Sequence, residues 1–266
     1  MAEAKSFVIW FQQRSGSSHL VSLLNSHPEI HCKGEMFGCF PIAGIDDPNQ
    51  DSNGRQLGDR LYRRLINQFP GRIENPADRQ CVDELTAFLD EAPTNLKRSI
   101  RGFKLKFPSQ MKLFPEIVDT LRQQSSLLRV IVLTRKNYLR RAVSVLNLER
   151  IQQSTAQSNL KKKIQLPATR FDVSEVIRLI KYYQSIEAEF SSWPKTFEQR
   201  LQVEYEDLVS NQNEVTQQIQ NFLGVSTRQE LTSKVKRIAP AKMEDLVENS
   251  DELRAALKAN QLSFEM

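Results

Sequence analysis

The sequence predicts an α/β fold with a central, mainly parallel sheet. Short apolar runs alternate with longer segments of helical periodicity along the 266 residues, as in chains that cover a parallel sheet with helices. The run Val130-Ile131-Val132-Leu133 is continuously apolar, which is typical of a central strand buried on both faces. Near the N terminus, residues 7–24 have the order apolar strand, tight turn and apolar-periodic helix.

The predicted elements follow from this alternation. Five short apolar segments are predicted to be strands: 6–11, 29–33, 100–106, 129–134 and 201–205. Eight segments are predicted to be helices: 15–26, 57–68, 79–91, 109–124, 137–151, 172–191, 213–223 and 243–258. We expect a single domain over residues 1–266, because this length is ordinary for one α/β domain.

Several boundaries carry recognisable signals. Pro28 ends the first helix, and Gly224 is placed as the C-terminal cap of helix 213–223. Asp172 with Glu175 three residues later resembles a capping box at the start of helix 172–191.

Two long polar stretches are predicted to be loop insertions within this domain. They cover residues 41–56 and 152–170. Loops of this length often act as lids or binding segments, and disorder without a function is the alternative.

Composition limits the class of protein. The chain is 39% hydrophobic and 26% charged, as in soluble globular proteins. Its net charge of +5 is too small and too dispersed to favour a nucleic-acid partner. The three cysteines are scattered without zinc-site spacing, which favours a reducing compartment and no structural metal. Without a signal peptide or a long apolar run, a cytoplasmic protein with no integral membrane segment is expected.

The most informative motif is the turn after the first strand, in which Arg14, Ser15, Gly16, Ser17 and Ser18 lead into a helix. Glycine permits a sharp turn or a close approach of backbone to ligand. The N terminus of a helix directs free N–H groups and a positive dipole end at one point, which suits a phosphate or a sulfate. An ordinary capped helix with a solvated Arg14 is the alternative.

This turn is not a Walker A motif. That motif places a lysine directly after its second glycine and a magnesium-binding hydroxyl after the lysine. Here Ser17 follows Gly16, and the cation, Arg14, precedes the glycine. The order suggests an anion site in which Arg14 takes over part of the work of a metal ion.

A second anion site is predicted where strand 129–134 ends. Arg135 lies at the carboxyl end of this strand, where ligands of open α/β sheets bind. Ser144 follows nine residues later on the next helix and can point the same way. A guanidinium with a hydroxyl suits a phosphate, whereas an arginine paired with a carboxylate beside a surface serine is the alternative. A nucleotide with phosphates at two ends would bridge both sites.

With both sites in place, the chain resembles the PAPS-dependent sulfotransferases, where PAPS is 3′-phosphoadenosine 5′-phosphosulfate. Residues 14–18 resemble the 5′-phosphosulfate loop of the family, and residues 135–144 resemble its 3′-phosphate motif. Residues 202–208 with 222–225 are similar to its YEDL and FLGV segments. Lys236, ahead of residues 248–253, resembles the C-terminal stretch of bacterial members, nodulation-type enzymes among them. The motifs occur in the family's order over nearly the whole chain.

This resemblance implies a P-loop-like three-layer fold and a metal-independent transfer of the sulfuryl group from PAPS, with adenosine 3′,5′-bisphosphate as the product. It also implies which residues bind the nucleotide: Arg14, Ser15, Gly16, Ser17, Ser18, Arg135, Ser144 and Lys236.

A base must take the proton of the acceptor hydroxyl or amine. Bacterial sulfotransferases that resemble this chain carry a Gly-Glu at the position of Gly34-Glu35, which implies Glu35 as the base. Animal-type members have Lys-x-His on the third strand, whereas this chain has Lys104-Leu105-Lys106 and so lacks that histidine. We assign Lys104, together with Arg14, to the sulfuryl oxygens. His19, next to the turn, stays open as another base.

Other functions remain open from the sequence. A P-loop small-molecule kinase and a non-catalytic protein that binds 3′-phosphonucleotides are the main rivals, and a glycosyltransferase is a more distant one. The acceptor can be a glycan, a lipid or a small molecule. A homo-oligomer is compatible with the sequence.

Overall fold

The computed structural model describes residues 6–35, 83, 85–89, 99–108, 115–154, 167–225, 230–235 and 243–262. The strands in this part of the chain are β1 Ser6–Gln12, β2 Ile30–Glu35, β3 Ile100–Phe107, β4 Leu128–Thr134 and β5 Arg200–Glu204. The helices are α1 Ser17–Leu24, α2 Pro115–Gln123, α3 Tyr138–Ser154, α4 Val173–Ser185, α5 Glu187–Ser192, α6 Tyr205–Ser210, α7 Gln212–Leu223 and α8 Ser250–Ala259.

The five strands form one sheet in the order β2-β3-β1-β4-β5. Every pairing between neighbouring strands is parallel. β1 lies at the centre, and all of its residues are buried. Because the strands are parallel, the carboxyl ends of all five meet at one edge of the sheet, where ligands of such folds bind.

Helices cover both faces of the sheet. Successive side chains of β1 point to opposite faces, so Trp10 enters one apolar core and Ile9 enters the other. The Trp10 core takes side chains from residues 85–89, α2 and α5, whereas the Ile9 core takes side chains from α1 and α7. The predicted three-layer α/β fold with a parallel sheet is therefore confirmed.

A third apolar cluster holds α3, α4 and α8 together. Its members include Leu139, Val143, Val176, Tyr183 and Leu257. This packing fixes α3, which begins just beyond the carboxyl end of β4.

Two predicted helices differ from the structure. The segment 243–258 becomes helical only at Ser250, because the preceding backbone engages another part of the chain: Thr169 forms a bridge with Val247, and the Asn249 side chain bonds both backbone groups of Phe171. The segment 172–191 bends at Ile186 into α4 and α5.

The structure confirms the predicted caps at Asp172 and Gly224 but not the full capping box. Asp172 caps α4 by accepting hydrogen bonds from the backbone of Ser174 and Glu175, but Glu175 pairs with Arg178, so the capping box is incomplete. Gly224 ends α7 with a φ of 67°.

Some predictions fall on other parts of the chain. Helix 57–68, loop 41–56 and residues 155–166 of loop 152–170 lie outside the described residues, and within 79–91 residues 83 and 85–89 are helical. Residues 152–154 belong to α3. Among the described residues, no helix is both long enough and apolar enough to cross a membrane.

The register of β1 and β3 makes Gly102 a test of sheet packing. Gly102 lies opposite Phe7, and a Cβ at Gly102 would lie 2.5 Å from the Phe7 ring. Gly102→Ala should lower the free energy of unfolding by about 1–3 kcal/mol, the usual cost of overpacking a core, measured by urea denaturation.

The control is the same substitution in a Phe7→Leu background, where the ring is gone. There Gly102→Ala should cost clearly less, because the two sites share one contact. An equal cost in both backgrounds would contradict this packing.

Candidate active site

The turn between β1 and α1 is tightly wound. Ser15 N donates to the Gln12 carbonyl at 3.2 Å, Arg14 has a φ of 60° and Gly16 has a φ of 89°. Gly16 is the N-cap of α1, and no side chain caps this helix. The first N–H groups of α1 are therefore available to an anionic ligand, as the sequence predicted for residues 14–18.

Tyr205, the first residue of α6, lies against this turn. A Cβ at Gly16 would lie 2.2 Å from the Tyr205 ring, so the ring takes the space that any side chain there would need. The Tyr205 ring also contacts Arg135, whose guanidinium lies 4.5 Å from the centroid of the ring. The sequence predicts no separate role for Tyr205 within residues 202–208, although a residue at the carboxyl end of β5 is well placed for a site.

Three arginines surround the turn. Arg14 Nε donates to Ser144 Oγ at 2.8 Å, and Arg135 Nη1 donates to the Arg14 carbonyl at 3.0 Å. Arg141 Nη2 lies 3.5 Å from the Gln13 carbonyl. The structure thus brings together Arg14, Arg135 and Ser144, which the sequence had assigned to two separate anion sites, and it adds Arg141.

No described carboxylate forms an ion pair with any of these three arginines. In the described part of the chain, no carboxylate lies within 4.0 Å of Arg14, Arg135 or Arg141. Burial lowers the pKa of Arg14. Burial also lowers the pKa of Arg135 to about 10, although Tyr205 and Glu206 act in the opposite direction, and at that pKa the Arg135 guanidinium is charged at neutral pH. Uncompensated charge in a protein interior is costly unless a ligand completes the pairing.

Two buried polar atoms at the turn also lack partners. Ser15 Oγ and Arg135 Nε are both buried and make no hydrogen bond. Such atoms are uncommon in folded proteins, and at a site of concentrated positive charge they indicate a missing acceptor. The serine hydroxyl and the guanidinium groups at this turn suit a phosphate or a sulfate, because such an anion accepts hydrogen bonds from both kinds of donor.

Lys104 on β3 connects the turn to Glu35 on β2, on the opposite side of β1 from Arg135. Lys104 is 7% exposed, and its Nζ lies 3.5 Å from both Ser18 Oγ and Glu35 Oε1. Lys106 approaches the other carboxylate oxygen, with Nζ 3.4 Å from Glu35 Oε2. Burial lowers the pKa of Lys104, while Glu35 acts in the opposite direction.

A β-bulge in β2 places Glu35 in this group. Cys32 pairs with Gly102, but the next paired residue is Glu35, opposite Lys104, so β2 uses three steps where β3 uses two. The extra residue reverses the alternation of side chains and turns Glu35 to the face of Lys104. In a regular strand the residue opposite Lys104 would be Gly34.

Of the two remaining predicted residues, His19 and Lys236, the structure describes His19. His19 is half-buried on α1, and burial lowers its pKa, which favours the neutral imidazole. Ser26, just after α1, accepts a hydrogen bond from the backbone of Thr232, and Ser22 on α1 accepts one from the backbone of Lys234. Residues 230–235 therefore run along α1 towards its N terminus. Lys236, which follows, lies outside the described residues, and its role stays a prediction.

The sequence profile of the sulfotransferase family matches residues 7–229, from the start of β1 to beyond α7. The chain belongs to the sulfotransferase family. The matched region contains both arginine-bearing strand ends and Glu35. No curated protein is significantly similar to this sulfotransferase.

Solved structures of other sulfotransferases resemble this one at low sequence identity. A sulfotransferase from Alicyclobacillus acidocaldarius is 18% identical, with 99% of this chain and 98% of that chain covered and a TM-score of 0.45. The sulfotransferase domain of the Synechococcus PCC 7002 olefin synthase is 17% identical, with 98% of this chain and 88% of that domain covered and a TM-score of 0.39. The sulfotransferase domain of the curacin biosynthetic pathway is 15% identical, with coverages of 100% and 93% and a TM-score of 0.42.

The contact between Gly16 and Tyr205 gives a stability test. Gly16→Ala combines an unfavourable positive φ with a clash against an aromatic ring, so it should destabilise the protein by roughly 3 kcal/mol or more, measured by urea denaturation.

Gly224→Ala is the matched control. Gly224 also has a positive φ, but the nearest atom to its added Cβ would be 3.4 Å away on a flexible arginine. It should cost only the backbone term of about 1–2 kcal/mol. Equal costs for the two variants would contradict the contact between Tyr205 and the turn.

Proposed function

We propose that this sulfotransferase transfers the sulfuryl group of PAPS to a hydroxyl or an amine of a carbohydrate, lipid or small-molecule acceptor. One observation carries the proposal: three arginines without carboxylate partners surround the β1–α1 turn, and Lys104 links that turn to an ion-paired Glu35. A cationic site that adjoins a carboxylate suits a polyanionic donor next to a nucleophile that must lose a proton.

The donor is held by two groups of residues in this proposal. The turn, with Ser15, Gly16, Ser17 and Ser18, holds the 5′-phosphosulfate at the N terminus of α1. Arg135 and Ser144 hold the 3′-phosphate. Arg14 serves both ends, since its side chain contacts Ser144 and its backbone belongs to the turn. Lys236 is assigned to the nucleotide on the family resemblance.

PAPS supplies the sulfuryl group, and the chain supplies the base and the cations. Glu35 accepts the proton of the acceptor at a carboxylate oxygen, while Lys106 holds the other oxygen and fixes the orientation of the carboxylate. Lys104 and Arg14 offset negative charge that develops on the transferred group and on the leaving phosphate. Cations fixed in advance at the place where charge develops are an effective form of catalysis.

The nucleotide specificity can be tested before any acceptor is known. Adenosine 3′,5′-bisphosphate should raise the melting temperature of the protein more than equal concentrations of AMP or ATP with magnesium, because it alone offers phosphates to both ends of the site. Differential scanning fluorimetry measures this. A clear preference for ATP would favour a kinase and contradict the proposal.

Binding and proton transfer should separate in two variants. Arg135→Ala should weaken the affinity for adenosine 3′,5′-bisphosphate by roughly tenfold to a hundredfold, the usual loss for a charged hydrogen bond. Glu35→Gln should keep that affinity and slow sulfuryl transfer from radiolabelled PAPS by roughly a hundredfold or more.

Arg122→Ala on the exposed face of α2 is the matched control for the lost charge, and it should change neither quantity. Turnover of Glu35→Gln near the wild-type rate would remove Glu35 from the mechanism. Nucleotide binding without transfer to any acceptor in a broad panel would instead indicate a non-catalytic binding protein.

A further inference from the structure

Of the described charged side chains near the site, Arg141 is the most deeply buried. It is 1% exposed and lies on α3, one helical turn before Ser144. Residues three apart on a helix share a face, so Arg141 and Ser144 face the same side of α3. The sequence did not single out Arg141, because an arginine within an arginine-rich helix carries no signal of its own.

The contacts of Arg141 offset its charge only in part. Burial lowers the pKa of Arg141, while its two tyrosine neighbours and then Glu187 and Glu206 act in the opposite direction. The guanidinium lies 3.9 Å from the ring centroid of Tyr183 and 5.6 Å from that of Tyr138. Nη2 lies at a long 3.5 Å from the Gln13 carbonyl, and Nε makes no hydrogen bond. Within the described residues, no carboxylate lies within ion-pairing distance of Arg141.

A buried arginine without a carboxylate is unfavourable for folding alone. Replacement of buried charges by apolar residues of similar size is often neutral or stabilising, so stability gives no reason for a cation here. Tyrosine rings stabilise a guanidinium only in part. The position of the charge gives a reason, since Arg141 Nη2 contacts the carbonyl of Gln13, the residue directly before Arg14.

We propose that Arg141 is a buried positioning residue of the anion site, whose charge has no carboxylate in ion-pairing distance and is neutralised by the phosphates of the bound nucleotide. Its charge acts on the turn through the buried protein interior, where it is poorly screened by salt. Its contact with Gln13 also orients the backbone that precedes Arg14. Arg141 therefore raises the affinity for the nucleotide without lining the site.

This inference rests on the proposed function, and two variants test it. Arg141→Met removes the charge and keeps an unbranched apolar chain, whereas Arg141→Lys keeps the charge and loses the planar fork. Calorimetric titration with adenosine 3′,5′-bisphosphate gives the affinity, and thermal unfolding without ligand gives the stability. Arg122→Met on exposed α2 controls for net charge.

Arg141→Met should weaken the nucleotide at least tenfold while its ligand-free melting temperature stays at or above the wild-type value. Arg141→Lys should stay within about threefold of the wild-type affinity, and Arg122→Met should bind normally. Unchanged affinity in Arg141→Met would overturn the inference whatever its stability. Equal losses in both Arg141 variants would also overturn it, because the charge would then not be the cause.

Should Arg141→Met fail to fold, Arg141→Gln replaces it as the neutral variant. At least a tenfold loss of affinity in Arg141→Gln supports the inference, and unchanged affinity overturns it. Wild-type protein that does not bind the bisphosphate would contradict the proposed function instead. In that case inorganic sulfate tests the inference separately. If Arg141 supports an anion site, sulfate raises the melting temperature of the wild type more than that of Arg141→Met. An equal rise in both proteins would overturn the inference.

Discussion

The turn between β1 and α1 has its shape because Gly16 carries no side chain. The Tyr205 ring fills the space in which a Cβ would lie, and the same ring packs against Arg135. Through this contact the carboxyl ends of β1, β4 and β5 are held against one another. The backbone of the turn then offers the N terminus of α1 and the Arg14 carbonyl at fixed positions, so the arginines are arranged around a rigid centre.

Charge divides the site into two halves on either side of β1. On the β4 side, Arg14, Arg135 and Arg141 are buried to differing degrees and face carbonyls, a hydroxyl and aromatic rings rather than carboxylates. On the β3 side, Lys104 and Lys106 share the single carboxylate of Glu35. Unpaired cations on one side suit a donor rich in phosphate, and a carboxylate held between two ammonium groups on the other side suits a base that is aimed at an acceptor.

Most of the fold was predictable because it depends on local patterns. The apolar run 130–133 marked a strand buried on both faces, and β1 with α1 followed from the apolar residues around the turn. Helix 243–258 was predicted too long, since the bond between Asn249 and Phe171 joins residues far apart in sequence. Helix α6 was missed, although Glu206 and Asp207 in its first turn are a typical helix-start signal.

The residues of the site also divide into those that local sequence predicts and those that depend on tertiary structure. Arg14, Arg135 and Ser144 were found because each follows the end of a strand or lies on the helix behind it. The bulge that turns Glu35 towards Lys104 depends on how two strands pair, and the burial of Arg141 depends on the packing of α3 against α4. Neither feature leaves a pattern in a single sequence.

The most direct test of this account is a crystal structure of the protein with adenosine 3′,5′-bisphosphate. The account predicts density for one phosphate at the N terminus of α1, within hydrogen-bond distance of Ser15 to Ser18, and for the other phosphate on Arg135 and Ser144. It also predicts that Glu35 lies on the far side of Lys104 from the nucleotide. A bisphosphate bound elsewhere, or bound with neither phosphate in contact with Arg14 or Arg135, would contradict it.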